Sequence, residues 1–443
     1  MTNADTALVV GELMVDFTLG QHGTWSKLRL GGIAHAARGL WSAGIEYSVA
    51  AFCPQYLVNE AKLYLGSIAC REFIWLGDVV GAPNVLMIGD TTEVAHQGYE
   101  DLMRDTKVVY WRDAQSGLHP YRKVIVFPGK FDISRLAGAC ASDARFSFDI
   151  AYDVEDIASL AAFRNRVEAI SISTSSPLFM ALGSSEVTRL KGAIAGLSPD
   201  VLLLKENRGG SRLFDLRNDT VEQIPATLGQ TVNSVGVGDV YVSVMCGLSH
   251  KGWVEAAWRG SRAAGAYSQS TFPDDVKREV QRELRLELEV LKALGGTALP
   301  WHVRQNFSIY LAGPDFSYVK KHELDHAVES LKYHNFKVRR PVLEGGELRR
   351  PASQFALRRM YDMDRQLLRG CDAVFAVPLD RDPGTLVEIG MAIEMGKPVI
   401  TYDPRRQNEN TMVVVGSATY SPNLDICLNG TFRVLAELLT GSR

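Results

Sequence analysis

Two runs of alternating strand-like and helix-like segments, separated by a charged stretch at 274–294, constrain this chain more than any other feature. In the first run ALVVGELMVDF, KVIVF, RFSFDI, EAISIS and VLLLK each hold an apolar segment of strand length. Between them, AHAARGLWSAG, DVEDIASLAAFRNR and SEVTRLKGAIAGL read as helices. In the second run FSIYLAGP, FKVRRPV, DAVFAVPLD and KPVITYD alternate with HELDHAVESLKYHN, ASQFALRRMYDMDRQLLRG and LVEIGMAIEMG. Strand alternating with helix predicts crossover units and a mostly parallel sheet, so the fold class expected is α/β in both runs.

The stretch between the runs places Val276, Val280, Leu284, Leu288, Leu291 and Leu294 on one stripe of a charged helix that Gly295-Gly296 would end. It is expected to bridge two domains, giving a unit at 1–272, a helical linker at 273–304 and a smaller unit at 305–443. A chain of 443 residues is long enough for two or three cores. With 48 basic and 51 acidic side chains and a net charge of −3, the electrostatic grip that nucleic acid requires is not expected. No run of 18 apolar residues suggests a membrane span. The N-terminus reads as a first strand and not as an export signal. Six cysteines (Cys53, Cys70, Cys140, Cys246, Cys371, Cys427) lie far apart without a C-x-x-C pair. Scattered thiols of this kind fit the reducing cytoplasm, where the protein is expected.

The second run carries a carboxylate cluster. Asp364 falls on a helix, Asp382 just past a strand, and Glu388 in the first turns of the next helix. Ligand crevices of open parallel sheets lie beyond the carboxyl ends of the strands, where Pro383-Gly384-Thr385 would turn. The helix macrodipole would favour Glu388 as the anion, suited to attack a sugar carbon. Asp364 or Asp382 could hold sugar hydroxyls or manage the proton on a departing base. Arg339, Arg340, Arg349 and Arg350 would either contact a phosphate or form a solvated basic face. His322-Glu323-Leu324-Asp325-His326 fits H-E-x-x-H, but no third-ligand signature follows, and no metal site is expected.

These residues resemble the nucleoside 2-deoxyribosyltransferase family, which also includes nucleoside 5′-monophosphate N-glycosidases. The resemblance rests on Tyr310-Leu311-Ala312-Gly313-Pro314, Asp364 eight residues before Asp372, Asp382-Pro383-Gly384-Thr385 with Glu388-Ile389-Gly390, and Gly396-Lys397-Pro398, over about 307–440. It implies a flavodoxin-like or Rossmann-like parallel sheet. It makes Glu388 the nucleophile of a glycosyl-enzyme ester, with Asp364 and Asp382 orienting nucleoside and leaving base, and Tyr310 steering Glu388. Gly313, Pro314 and Gly384 would line the substrate. Asn423 falls where the family has an Asn that reaches a neighbouring subunit's site, which implies a homo-oligomer. No cofactor is implied for this unit.

In the first run Gly236-Val237-Gly238 precedes Asp239 and an apolar helix. Glycines at a helix mouth let backbone N–H groups converge on an anion, and the Asp could take a proton from a substrate hydroxyl. With Asp16 near the end of the first strand, Gly31-Gly32, and Lys205 followed by Gly209-Gly210, the run resembles the ribokinase/PfkB family of sugar and nucleoside kinases over about 7–270. That family's fold is a three-layer α/β domain. By this resemblance Asp239 is the catalytic base and Gly236, Val237 and Gly238 form the anion hole. Asp16, Gly31 and Gly32 bind sugar hydroxyls, Lys205 and Gly210 lie near the nucleotide, and ATP with Mg²⁺ is required. Asn233-Ser234 replaces the family's Asp-Thr, and Ala36, beside His35, replaces its sugar-binding Asn.

The chain is therefore expected to be a bifunctional enzyme acting on small nucleosides, nucleotides or sugars. The second unit would cleave or transfer an N-glycosidic bond, and the first would phosphorylate a sugar or nucleoside. The alternative makes the first unit a non-catalytic nucleoside-binding and oligomerising module.

Overall fold

A computed structural model describes residues 6–20, 25–96, 98–112, 117–182, 187–348 and 351–441. Arg349 and Arg350 lie outside the described residues. The chain forms two compact units, one running to Ala298 apart from Glu93–His96, the other Leu299–Arg443 with that short segment.

In the first unit the strands expected from apolar runs form as Ala7–Thr18, Lys123–Val126, Arg145–Asp149, Val167–Ser173 and Val201–Lys205. With Tyr47–Phe52 and Phe73–Val80 they make a continuous parallel sheet, edged by antiparallel Ser211–Asp215 and Thr220–Ile224 on one side and Val108–Trp111 on the other. Burial of both faces explains the continuous apolar runs in Lys123–Val126 and Val201–Lys205. Ala7–Thr18 continues past the sheet and pairs there with Lys27–Gly32 and Val85–Ile88, so Asp16 lies opposite Arg29 and Met14 opposite Gly31.

The charged stretch folds as two helices, Pro273–Leu284 and Leu288–Ala293. Val276, Val280 and Leu291 join a core with Leu40, Trp258 and Ala263, and Arg262 donates to the carbonyls of Leu291 and Gly295. This stretch thus packs into the first unit and does not stand apart as a bridge. Its apolar stripe finds its partner in the same unit's helices, which sequence spacing alone could not choose.

The second unit holds a five-stranded, wholly parallel sheet in the order Lys337–Arg339, Ser308–Ala312, Ala373–Ala376, Val399–Tyr402, Thr419–Ser421. The chain moves outward on one side of Ser308–Ala312 and then crosses to the other. That reversal, beyond Ala312 and Ala376, is the position at which open sheets bind ligands. No helix among the described residues is long and apolar enough to cross a membrane.

Candidate active sites

In the second unit the fold brings the expected acids together. Tyr310, in the Ser308–Ala312 strand, donates its hydroxyl to Glu388 Oε1 at 2.6 Å. Glu388 lies in the Pro383–Glu394 helix, whose Thr385, Ile389 and Ala392 are buried. The start of that helix is set by Asp382, whose Oδ2 accepts from both the backbone N–H and the hydroxyl of Thr385 at 2.7 Å. An aspartate cap followed by proline is a strong helix-start signal. Just before it, Asp380 and Arg381 hold positive φ of 54° and 56°, costly for side-chain-bearing residues. Gln407 accepts from the Asp380 N–H at 3.0 Å, its carbonyl accepts from Arg381 at 2.9 Å, and Arg405 pairs with Asp380 at 2.7 Å. These contacts keep the bend that aims Asp382 and its helix.

Burial pushes the Glu388 carboxyl up to about 8, against the Tyr310 hydrogen bond that favours the carboxylate; Asp364 and Asp382 add like-charge repulsion. The expectation that the macrodipole would keep Glu388 anionic is therefore corrected. Glu388 sits a turn beyond the helix start, where the dipole has faded and desolvation outweighs it. Burial also raises Asp364. Tyr310 is raised by burial and by Glu388, so it remains a donor. Asp372, by contrast, accepts from the Ser308 N–H at 2.7 Å and serves the sheet.

Other expected residues have structural roles in view. A Cβ on Gly313 would stand 2.5 Å from Leu324 Cδ1, so this glycine lets a helix approach the turn before Pro314. A Cβ on Gly384 would stand 3.2 Å from Asp382 Oδ2, which keeps the capping carboxylate unobstructed. Asn423 caps the Leu424–Thr440 helix through the N–H of Asp425 at 2.8 Å. Arg340 makes a two-pronged pair with buried Asp315 at 2.6 and 2.7 Å, and Arg339 pairs with Glu344. Arg339 and Arg340, read as either phosphate contacts or a solvated basic face, are thus both engaged by carboxylates. Glu323 of the H-E-x-x-H stretch pairs with Arg405 at 2.8 Å.

In the first unit the Val237–Gly247 helix starts at Gly236, in the left-handed region at φ 79°. A Cβ there would fall 2.1 Å from His35 Cγ, so both backbone and space demand glycine. Asp239 stands in the first turn. Burial pushes its carboxyl up to about 8, Asp149 and Asp16 add repulsion, and Lys205 opposes the shift. Lys205 and Asp149 end neighbouring-but-one strands and meet at 2.6 Å.

Asp16 lies in a network that spacing did not reveal. Its Oδ2 receives Arg29 Nε at 3.1 Å and His35 Nε2 at 2.9 Å. Arg29 also donates to Asn233 Oδ1 and the Val235 carbonyl. Burial pulls His35 down to about 4, aided by Arg29 and Arg38 against Asp16. The ring is then neutral at pH 7, with its proton on Nε2 toward Asp16 and Nδ1 accepting from Tyr267 at 2.8 Å. Burial alone would raise Asp16; His35 and Arg29 more than offset that and hold it below the usual carboxylate range. Gly31 has no room for a Cβ, which would sit 1.8 Å from Asp16 Oδ1. Gly32, at φ 59°, abuts the Glu12 carbonyl, and Gly210, at φ 91°, abuts the Ile224 carbonyl; both serve turns. Asp149, Arg29 and Tyr267 were missed by sequence reasoning. Asp149 carried the same signal as Lys205, a charged residue ending a buried strand, whereas nothing in the spacing marks Arg29 or Tyr267.

The donor set around Asp239 does not suit Mg²⁺. Asp149 Oδ2 is bonded to the Lys205 ammonium and its Oδ1 accepts from the Ala151 N–H at 3.3 Å. Glu206 is paired with Arg212 at 2.6 Å. Both of these carboxylates are thus already neutralised by cations of the chain itself. Among the described residues no group of three or more His, Cys, Asp or Glu side chains is placed to hold a metal.

Residues 309–424 match the family model of nucleoside 2-deoxyribosyltransferase. No curated protein sequence matches the chain. Among solved structures, ribokinase from Giardia lamblia is similar at 14% identity and a TM-score of 0.50, over 64% of this chain and 99% of that one. Ribokinase from Thermotoga maritima (12% identity, TM-score 0.47, 63% of this chain and 99% of that one) and a nucleoside kinase from Burkholderia thailandensis in complex with inosine (14%, 0.47, 66% and 98%) are also similar. The chain thus joins a ribokinase-like fold to a segment, residues 309–424, that matches the nucleoside 2-deoxyribosyltransferase family model.

Proposed function

We propose that the second unit cleaves or transfers the N-glycosidic bond of a (deoxy)nucleoside or its 5′-monophosphate through Glu388. The observation that carries this reading is the 2.6 Å contact between the Tyr310 hydroxyl and Glu388 Oε1, with Asp364 and Asp382 close enough to perturb the same carboxyl. A carboxylate oxygen of Glu388 attacks the anomeric carbon as the bond to the base nitrogen breaks and its electron pair leaves with the base. The departing base takes up a proton, for which Asp364, raised by burial, is suited. Water or a second base then attacks the same carbon and frees Glu388. Tyr310 holds the nucleophile in place while its hydrogen bond favours the charged form. Incubation with a panel of nucleosides and nucleotides, with and without an acceptor base, and chromatography of the free base, tests this. No base release by any member of the panel would refute it.

For the first unit the same reading makes Asp239 the base that takes a hydroxyl proton during phosphoryl transfer from ATP, at the cradle of Gly236, Val237 and Gly238. A specific observation favours a second reading, a nucleoside-binding module without phosphoryl transfer. Asp149 and Glu206 are paired with Lys205 and Arg212 and so are not open to the divalent ion that phosphoryl transfer from ATP uses. An ATP-consumption assay over sugars and nucleosides, paired with calorimetry, separates the two. Tight binding without turnover selects the module.

We also infer self-association of the second unit. The Gln354–Arg369 helix carries Asp364 yet buries only Leu368, leaving Phe355, Leu357, Tyr361 and Met363 exposed. Leu357 and Tyr361, four residues apart, share one side of the helix with Asp364, and a second copy of the chain would cover that side. Light scattering of Leu357→Glu should show a smaller particle than the unaltered protein; an unchanged mass places any interface elsewhere.

A further inference from the structure

We propose that Lys205 is the built-in cation of the first unit's phosphate cradle, so that this site binds a phosphate-bearing ligand without a divalent metal. The inference rests on reading Gly236–Asp239 as a phosphate site and adds what supplies the positive charge there. Three observations point the same way. The Lys205 ammonium lies 3.1 Å from where a Cβ of Gly238 would stand, so it lies against the first turn of that helix. It is largely buried, with 12% of its side chain exposed, and so cannot wander into solvent as surface lysines do. It acts electrostatically on Asp239, opposing the upward shift of that carboxyl.

The chemistry of the pair fits a phosphate. An ammonium has three donors, and Asp149 takes one at 2.6 Å. The other two can reach phosphate oxygens alongside the N–H groups of the helix start. Asp149 is then a positioning residue. It ends the Arg145–Asp149 strand, holds the lysine across the end of the intervening Val167–Ser173 strand, and has its other oxygen tied to the Ala151 N–H. The remaining acid beside Lys205, Glu206, is fully buried and paired with Arg212. The absence of a side chain at 238 is part of the same device, since any Cβ would press on the ammonium.

Calorimetric titration of the full chain with ADP, in EDTA and again in Mg²⁺, tests the proposal. Binding in EDTA with an affinity within about threefold of that in Mg²⁺ is expected. Lys205→Met should weaken binding at least tenfold, provided circular dichroism shows an unchanged melting temperature. Asp149→Asn gives a second reading that does not depend on that variant folding. If Asp149 positions the ammonium that binds phosphate, the change weakens ADP binding to the same extent in EDTA and in Mg²⁺; if Asp149 is a metal ligand, the change weakens binding in Mg²⁺ alone, which would overturn the proposal. ADP binding that appears only with Mg²⁺ would overturn the proposal while leaving the phosphate cradle standing. No ADP binding under either condition would overturn the cradle as well.

Discussion

The two units solve one electrostatic problem with different partners. In each, a carboxyl at the edge of a parallel sheet is pushed to about 8 by burial and by two neighbouring carboxylates. In the second unit the opposing group is a neutral hydroxyl, Tyr310, at 2.6 Å. In the first it is an ammonium, Lys205, itself shared with Asp149. A hydroxyl favours the carboxylate without cancelling its charge, which suits a side chain that must attack carbon. An ammonium adds a positive centre that an anionic ligand can use, which suits a site that must hold phosphate. The same desolvation therefore serves two chemistries, and the counterpart decides which.

This contrast can be broken most decisively at Glu388. Replacing it with Ala should lower base release by about 10³-fold or more, as loss of a nucleophile does; base release at the original rate would move the nucleophile elsewhere. In the first unit, Asp239→Asn should reduce any phosphoryl transfer by about 10²–10⁴-fold, the range of a lost general base. An unaffected turnover in a kinase assay would remove Asp239 from the chemistry. Tyr310→Phe should cost about tenfold, one hydrogen bond's worth, and shift the pH profile. Because Glu388 must be ionised to attack and its carboxyl lies near 8, kcat/KM should rise with pH up to about that value. Without the tyrosine donor the rise should move to higher pH, and an unmoved profile would show that the two groups are not coupled in solution.

The smallest effect concerns stability. A carboxyl raised on folding keeps its proton in the folded state after the unfolded chain has released it, so stability falls as pH climbs from the ordinary glutamate range to about 8. Each unit of raised pKa corresponds to about 1.4 kcal/mol. Glu388→Gln removes that proton from the balance, so its stability relative to the unaltered protein should improve by about 1 kcal/mol or more between pH 5 and pH 8. Urea melts at both pH values measure this. Equal differences at the two would mean that burial does not govern Glu388.

Much of the scaffold was legible from periodicity. Strands buried on both faces, such as Val201–Lys205, are continuous apolar runs and announce themselves. The edge strand Thr220–Ile224 did not, because a half-exposed strand mixes polar and apolar residues; Val108–Trp111 is apolar but only four residues long. Asp382 and Glu388 were legible because they belong to one short segment whose aspartate cap and proline also start the helix, while Asp364 comes from a separate helix. The strained bend at Asp380 and Arg381 was not, since nothing local demands positive φ there; Gln407 and Arg405, distant in sequence, impose it.

Sequence alone determined that the chain alternates strand and helix twice, and which acids stand beyond strand ends, because these follow from local spacing and from the polarity of a parallel sheet. Tertiary structure decided where the 274–294 stripe packs, that Arg29 and His35 occupy Asp16, and that Lys205 turns toward Asp149 and Gly238. Those choices depend on which groups converge across large separations once water is excluded, and burial then sets which of them carry charge.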